Sequence, residues 1–161
     1  MRFNALALVA SAIVLGACSG GGEGSKTDSA TAPAPGAGTP APTVTAMPIT
    51  GTTHEVKMIM DGNSYRFDPV NITVKTGDGI KFTTVSGPPH NFGFDPATIP
   101  DDVEAQLKVN MPAGSTDLES PMQNTVGESH TLSLGGVKPG TYPVHCTPHL
   151  ALGMKGVITV Q

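Results

Sequence analysis

Residues 140–160 read Gly-Thr-Tyr-Pro-Val-His-Cys-Thr-Pro-His-Leu-Ala-Leu-Gly-Met-Lys-Gly-Val-Ile-Thr-Val. Within this stretch, Cys146, His149 and Met154 have the spacing Cys-x-x-His-x-x-x-x-Met. The apolar alternation on either side predicts one strand that enters the loop and one that leaves it. Thiolate, imidazole and a weak axial thioether are the ligands of a redox copper site. The stretch therefore predicts a copper loop held between two paired strands.

A trigonal copper site of this kind needs a second histidine, and the candidate is His90. It lies in the turn-forming segment Gly-Pro-Pro-His-Asn at residues 87–91, just after the apolar alternation of residues 80–85, where a strand is expected to end. The sequence thus predicts one copper ion per chain with four ligands: His90, Cys146, His149 and Met154. The alternative without a metal makes Cys146 a small buried apolar residue, His149 a turn residue and Met154 part of the core.

Three stretches of the chain, residues 67–78, 89–91 and 142–156, resemble small blue copper proteins of the plastocyanin and pseudoazurin type. The resemblance covers most of residues 54–161 and implies the same four copper ligands. It also implies that Asn91 ties its loop to the hydroxyl group of Thr147. Outer contacts of this kind orient the ligands and tune the metal.

Two neighbours of Cys146 bear on the properties of such a site. Pro148 has no backbone N–H, so it cannot donate a hydrogen bond to the Cys146 sulfur, and hydrogen bonding around that sulfur affects the redox potential. His145 stands where plastocyanins often have an aromatic residue, so the resemblance does not imply an electron path through this position. The pair His145-Cys146 is also similar to the His-Cys pair that links two metal sites in copper enzymes.

Short runs of alternating apolar residues, separated by turn residues, predict strands through the rest of the chain. The predicted strands are residues 56–60, 65–67, 71–75, 79–85, 91–94, 129–134, 142–146 and 155–160. Seven or eight such strands predict an all-β Greek-key β-sandwich over residues 52–161, cupredoxin-like by the resemblance. Residues 95–130 resemble the family only loosely, and we expect a short helical turn there at residues 103–107.

The first 17 residues have the features of a bacterial lipoprotein signal peptide. A short positive start, Met1-Arg2, precedes an apolar run at residues 3–15 that is too short for an ordinary membrane span. Leu15-Gly16-Ala17-Cys18 resembles a lipobox, which implies that Cys18 is the lipidated first residue of the mature protein, with stable anchoring to the membrane. The alternative is ordinary secretion, with Cys18 removed or free.

Residues 18–51 consist largely of Gly, Ser, Ala, Thr and Pro. Such a composition cannot bury enough apolar surface to offset the entropy of ordering, so it predicts a disordered tether after the lipidated cysteine. The predicted location is therefore the periplasmic side of a bacterial membrane, with the lipid anchor as the only membrane contact.

The chain has 9 Lys or Arg and 13 Asp or Glu, a net charge of −4 with neutral histidines. We do not expect the protein to bind nucleic acid, because such binding requires a basic patch. Five acidic residues could form a face that steers a basic redox partner: Asp101, Asp102, Glu104, Asp117 and Glu119. The alternative is that they lie on a solvated loop. We expect brief docking, as in weak redox encounters, on an apolar patch around His149 formed by Pro88, Pro89, Leu150, Ala151 and Leu152.

The function these features predict is outer-sphere electron transfer by a monomer that exchanges electrons with extracytoplasmic redox proteins. No substrate bond is made or broken, so the protein is not expected to be an enzyme. Two alternatives use similar ligands. One is a copper carrier or storage protein, and the more distant one is a copper-dependent enzyme with a second metal at His145.

Overall fold

The computed structural model describes residues 43–161. This part of the chain forms strands, one α-helix and two short 3-10 helices. In chain order they are β1 (Thr53–Asp61), β2 (Ser64–Asp68), β3 (Asn71–Val74), β4 (Gly79–Thr84), the 3-10 helix Pro96–Thr98, α1 (Asp101–Asn110), β5 (Ser129–Ser133), β6 (Gly140–His145), the 3-10 helix Thr147–Leu152 and β7 (Lys155–Val160).

The strands form two sheets, one with the order β2-β1-β4-β5 and the other with the order β3-β7-β6. Both sheets are mixed, because β1 pairs in parallel with β4 and β3 pairs in parallel with β7, whereas the remaining pairs are antiparallel. Strands that are neighbours in a sheet are often distant in the chain, so the chain crosses repeatedly from one sheet to the other. The predicted all-β sandwich is confirmed, with seven strands in the described residues.

The core follows from the alternation of apolar residues along the strands. In β4, for example, Ile80 and Phe82 are buried while Lys81 is exposed, as a strand with one face on a core requires. Aromatic residues pack together in this core, since the Phe82 ring of β4 stacks on Phe92 of the following connection with centroids 4.1 Å apart and meets Phe67 of β2 edge-on at 5.9 Å. This buried cluster supports the loops that follow β4 and β6.

The predicted strand at residues 91–94 is wrong. Only Gly93 in this run forms bridges, and they are isolated ones to Glu119 and His145. All four residues are buried, so the run has no solvent face. Phe92 and Phe94 bond to Ser120 and Leu118 on one side, and Gly93 bonds to His145 on the other. Each pairing is a single bridge, too short to form a ladder. The run is a buried connection that joins the loop of His90 to the end of β6.

The predicted helical turn at residues 103–107 lies within a longer helix, α1. Its buried side includes Val103 and Leu107, and its first turn carries Asp101, Asp102 and Glu104. Acidic residues at this position interact favourably with the N-terminal end of the helix dipole.

The prediction that the disordered tether extends to residue 51 is also wrong at its end. Thr45 O accepts a hydrogen bond from Gln106 Nε2 at 3.1 Å, and Met47 N donates to Asn110 Oδ1 at 2.9 Å. Thr50 N donates to Gly77 O at 2.9 Å. These residues lack the alternation of a strand, but their backbone groups find partners on the folded domain. The ordered domain therefore begins before residue 52.

The signal peptide, Cys18 and most of the predicted tether lie outside the described residues. Across residues 43–161, no helix combines the length and the apolar character needed to span a bilayer.

Candidate metal centre

Three side chains from two separate loops converge at one end of the sandwich. His90 lies in the loop after β4, Cys146 directly follows β6, and His149 lies in the 3-10 helix before β7. The Cys146 sulfur is 3.6 Å from Nδ1 of His90 and 3.5 Å from Nδ1 of His149. The three candidate ligand atoms all lie within 4.8 Å of one another, and all three residues are buried.

A backbone carbonyl orients the His90 ring. Its Nε2 lies 2.9 Å from the carbonyl oxygen of Ser86, and because a carbonyl only accepts, Nε2 must carry the proton. Nδ1 then turns a lone pair toward Cys146, as metal ligation requires. Burial lowers the pKa of His90, and the hydrogen bond to Ser86 opposes this only in part. The imidazole is therefore neutral at neutral pH, which is its metal-binding form.

The backbone closes the ligand loop. Cys146 N donates to Met154 O and Met154 N donates to His149 O, both at 3.1 Å. Gly153 ends the 3-10 helix in the left-handed conformation, with φ of 83°, which glycine adopts without strain. Met154 is fully buried. The loop thus holds the cysteine, histidine and methionine on one short closed segment.

Burial raises the pKa of the Cys146 thiol, and hydrogen bonds from the backbone N–H groups of Asn91 and His149 only partly offset this. A thiolate in this position is unfavourable unless a cation stabilises it. Metal binding would supply that cation and release the proton. Burial also lowers the pKa of His149, as does the charge of His90. A buried thiol between two neutral imidazoles therefore favours a bound metal ion over a core without a metal.

The donor set and its spacing fit copper. Metal–nitrogen and metal–sulfur bonds of about 2.0–2.3 Å, the lengths known for zinc, let one ion stand between atoms that are 3.5 and 3.6 Å apart. Two imidazoles with one thiolate and a weak axial thioether are the set used by blue-copper centres. His90, Cys146 and His149 are the residues that would hold the ion.

Asn91 and Thr147, for which the sequence predicts a contact, are joined by two hydrogen bonds. Thr147 N donates to Asn91 Oδ1 at 2.8 Å, and Asn91 Nδ2 donates to Thr147 Oγ1 at 3.1 Å. Because Asn91 follows His90 and Thr147 follows Cys146, these bonds tie the two ligand loops together. Pro148 occupies the start of the 3-10 helix and is exposed.

Glu119 joins this contact, which the sequence did not indicate. Its carboxylate accepts hydrogen bonds from Asn91 Nδ2 at 2.8 Å, from Thr147 Oγ1 at 2.5 Å and from His145 Nε2 at 2.9 Å. Burial would raise the pKa of Glu119, but the hydrogen bonds from His145 and Thr147 outweigh it and hold the pKa below its ordinary value. His145 is thus paired with a carboxylate beside the site.

Tyr65 is a second residue at the centre that sequence reasoning missed. Its ring stacks on the His149 imidazole with centroids 3.7 Å apart, and it meets the His90 ring edge-on at 6.0 Å. Gly87, with φ of 69°, leaves room for it, because a Cβ there would lie 3.1 Å from the Tyr65 ring. An aromatic residue at the start of β2 is the only sequence signal, and it is equally typical of a strand in the core.

The five residues of the expected apolar patch all lie on the surface. Leu150 is 39% exposed and Leu152 is 61% exposed, whereas His149 itself is only 7% exposed. The proposed surface around the metal centre is therefore formed mainly by apolar side chains, with the imidazole beneath them.

Four of the five acidic residues that could form an acidic face at residues 101–119 have ion-pair or hydrogen-bond partners. Glu119 turns toward Asn91, Thr147 and His145. Asp102 pairs with Lys138, and Lys108 pairs with Glu104 at 2.8 Å and with Asp117 at 3.6 Å. Two lysines, Lys108 and Lys138, therefore offset part of this negative charge locally.

Residues 54–161 match the family described as copper binding proteins of the plastocyanin/azurin family. The chain belongs to this family. It is similar to plastocyanin of Ulva prolifera, with 40% identity over 106 residues, or 66% of this chain and 97% of that one. Identity to plastocyanin of Solanum crispum is 36% over 107 residues, or 66% of this chain and 99% of the other.

A solved structure agrees with the sequence relatives. Oxidised plastocyanin of Dryopteris crassirhizoma superposes with a TM-score of 0.52 at 32% identity, covering 67% of this chain and 100% of the other. The predicted membership of the plastocyanin-type copper proteins is confirmed, and so is the copper cofactor. Membership indicates copper-based electron transfer, and it favours neither enzymatic catalysis nor the carrier alternative.

Proposed function

We propose that this cupredoxin carries single electrons between extracytoplasmic redox proteins by outer-sphere transfer through one type 1 copper site. The observation that carries the proposal is the convergence of His90, Cys146 and His149 on one buried point. When bound, copper supplies a one-electron couple between Cu(II) and Cu(I). In this proposal, the Met154 thioether would complete the ligand set as a weak fourth donor.

In this proposal, the protein keeps the copper ligands in fixed positions and shields them from water. His90 is held by Ser86 O and the ligand loop by its closing backbone bonds. Burial of the ligands excludes water. A site held in this way needs little rearrangement when the charge on the metal changes, which favours rapid electron exchange over ligand exchange.

We propose that partners dock briefly on the apolar patch formed by Pro88, Pro89, Leu150, Ala151 and Leu152. The exposure of Leu150 and Leu152 above the ligand loop supports this surface. Small interfaces are typical of weak redox encounters, so we expect the protein to act as a monomer that meets its partners one at a time.

We also propose export and anchoring through lipidated Cys18 on the periplasmic side of a bacterial membrane. The lipobox-like Leu15-Gly16-Ala17-Cys18 supports this location. So does the course of the chain, because Thr50 and Gly51 bond to Gly77 near the start of β4. That end of the sandwich is opposite to the ligand loops, so an anchored domain would keep its metal centre free for partners.

The test uses the full chain, metal-free and then with one equivalent of Cu(II). We expect an intense thiolate-to-copper absorption band in the visible range that disappears with ascorbate and returns on reoxidation, with one copper per chain by elemental analysis. Cys146→Ala is expected to abolish the band, whereas the matched change Cys18→Ala is expected to leave it intact.

Other outcomes favour the alternatives. Absence of the band in a folded chain would contradict the proposal, and preferential binding of Cu(I) with transfer to a competing chelator would indicate a carrier. Two copper ions per chain, one of them lost in His145→Ala, would indicate the second metal of an enzyme.

A further inference from the structure

Glu119 lies at the centre of a small polar cluster beside the metal centre. Its two carboxylate oxygens accept hydrogen bonds from Asn91, Thr147 and His145 at 2.5–2.9 Å. Within residues 43–161, no lysine or arginine forms an ion pair with it, and its one ionisable partner is His145. The carboxylate therefore accepts its hydrogen bonds from an amide, a hydroxyl and an imidazole.

Each of these donors is covalently adjacent to a proposed copper ligand. Asn91 follows His90, while His145 and Thr147 stand on either side of Cys146. Glu119 itself lies in the long connection between α1 and β5, far from both loops in the chain. One carboxylate therefore fixes the loop of His90 relative to the loop of Cys146 from outside both of them.

The backbone is shaped to receive this carboxylate. Gly93 forms isolated bridges with both Glu119 and His145. A Cβ atom at Gly93 would lie 2.3 Å from the carboxylate atoms of Glu119, so a side chain there would displace the carboxylate from its position. The absence of a side chain at residue 93 lets the carboxylate lie directly over the backbone that connects the two loops.

We propose that Glu119 is a positioning residue for electron transfer, which holds the two ligand loops in register and whose negative charge favours Cu(II) over Cu(I). The proposal rests on the proposed function of the same site. A fixed anion near the metal stabilises the more highly charged ion. The Glu119 side chain is 35% exposed, so solvent screens its charge less than that of a fully exposed carboxylate. Outer contacts of metal ligands are known to tune the metal in this way.

The test compares Glu119→Gln with the matched control Glu55→Gln in the full chain. Both changes remove one negative charge, but Glu55 is exposed on β1 and accepts only a hydrogen bond from Thr83 Oγ1 at 3.2 Å. The readouts are the midpoint potential, the electron paramagnetic resonance spectrum of the Cu(II) form and the thermal unfolding of the metal-free chain.

For Glu119→Gln we expect the preference for Cu(II) over Cu(I) to fall by about tenfold, equal to a rise of about 59 mV in a one-electron potential, with an altered Cu(II) spectrum. For Glu55→Gln we expect less than about a twofold change, because solvent and salt screen an exposed charge. Glu119→Asp keeps the charge and shortens the reach, so its potential should move less than that of Glu119→Gln while its spectrum still changes.

Equal potentials and spectra in Glu119→Gln and Glu55→Gln would overturn the proposal, even if Glu119→Gln lowers the unfolding temperature, since that result describes a purely structural residue. If Glu119→Gln does not fold, Thr147→Val removes one donor and leaves Glu119 and His145 in place, and an unchanged Cu(II) spectrum there would overturn the proposal. A wild-type chain with no reversible copper couple would instead refute the proposed function, and this inference with it.

Discussion

The ring of Tyr65 stacks almost parallel to the imidazole of His149, with centroids 3.7 Å apart and an angle of 14° between the planes. The stack covers one face of the ligand that lies nearest to the proposed docking patch. Tyr65 comes from β2 and His149 from the loop before β7, so the contact joins the metal centre to the first sheet.

We expect Tyr65→Leu to lower the free energy of unfolding by about 0.5–1.5 kcal/mol, the usual contribution of an aromatic pair beyond its buried area. We also expect a chelator to remove copper faster, because the ring of His149 is less firmly held and more accessible. Urea unfolding and stopped-flow chelation measure the two effects. Tyr65→Phe keeps the ring and serves as the control, and a Leu variant that loses copper at the rate of the Phe variant would contradict the role of the stack.

Pro148→Ala is expected to raise the midpoint potential. Cys146 stands at the N-cap of the 3-10 helix, where a side chain normally accepts hydrogen bonds from the N–H groups of the first turn. An alanine at residue 148 adds one such N–H, and a further hydrogen bond to the thiolate makes the sulfur a weaker donor to Cu(II). Protein-film voltammetry measures the shift, with Pro139→Ala as control because Pro139 is exposed in the turn before β6, and an unchanged or lowered potential would refute the prediction.

Met154→Gln is expected to lower the midpoint potential and to alter the visible spectrum. Met154 is fully buried, and an amide oxygen in place of the thioether is a harder axial ligand that favours Cu(II). Met122→Gln is the matched control, because Met122 is 44% exposed and lies outside the ligand loop. If both variants keep the wild-type potential and spectrum, Met154 is a core residue and not an axial ligand.

The protein is expected to lose stability in acid because of Asp78, which lies just before β4, at the end of the sandwich opposite the ligand loops. The Asp78 carboxylate accepts hydrogen bonds from Lys75 N, His54 Nε2 and Thr52 N at 2.8–2.9 Å. The Lys75 backbone contact, followed by the His54 and Thr52 contacts, lowers the pKa of Asp78 from 3.8 to about 2. Since the folded pKa is lowered, this stabilisation is fully present above pH 3.8 and is lost as the pH falls toward 2.

Urea unfolding of the metal-free chain between pH 2 and pH 5 checks this expectation across the window set by the pKa of Asp78. Asp78→Asn should be less stable at pH 5 and should lose less stability on acidification. Asp61→Asn is the control, because the Asp61 side chain is 72% exposed in its pair with Arg66. Parallel pH profiles for the wild type and Asp78→Asn would show that other carboxyl groups cause the acid sensitivity.

The extent of the ordered domain depends on contacts that composition does not report. Residues 43–51 have the small and polar composition of a tether, but Thr45 and Met47 bond to the end of α1, and Thr50 bonds to Gly77. Likewise, the apolar run at residues 91–94 resembles a strand, although it lies buried between Glu119 and His145 and pairs with each through a single bridge. Local sequence patterns predict a flexible chain in the first case and a strand in the second. The residues that each segment contacts in the folded domain determine its actual structure.

The sequence by itself determined the metal chemistry and the strand framework of this protein. Cys146, His149 and Met154 lie within nine residues, so their spacing reports a single closed loop, and period-two alternation reports strands with one buried face. Only the tertiary structure decided what surrounds the copper ligands. Tyr65 meets His149 across 84 positions and Glu119 meets Thr147 across 28, and contacts at such separations arise when two sheets pack, which no local pattern encodes.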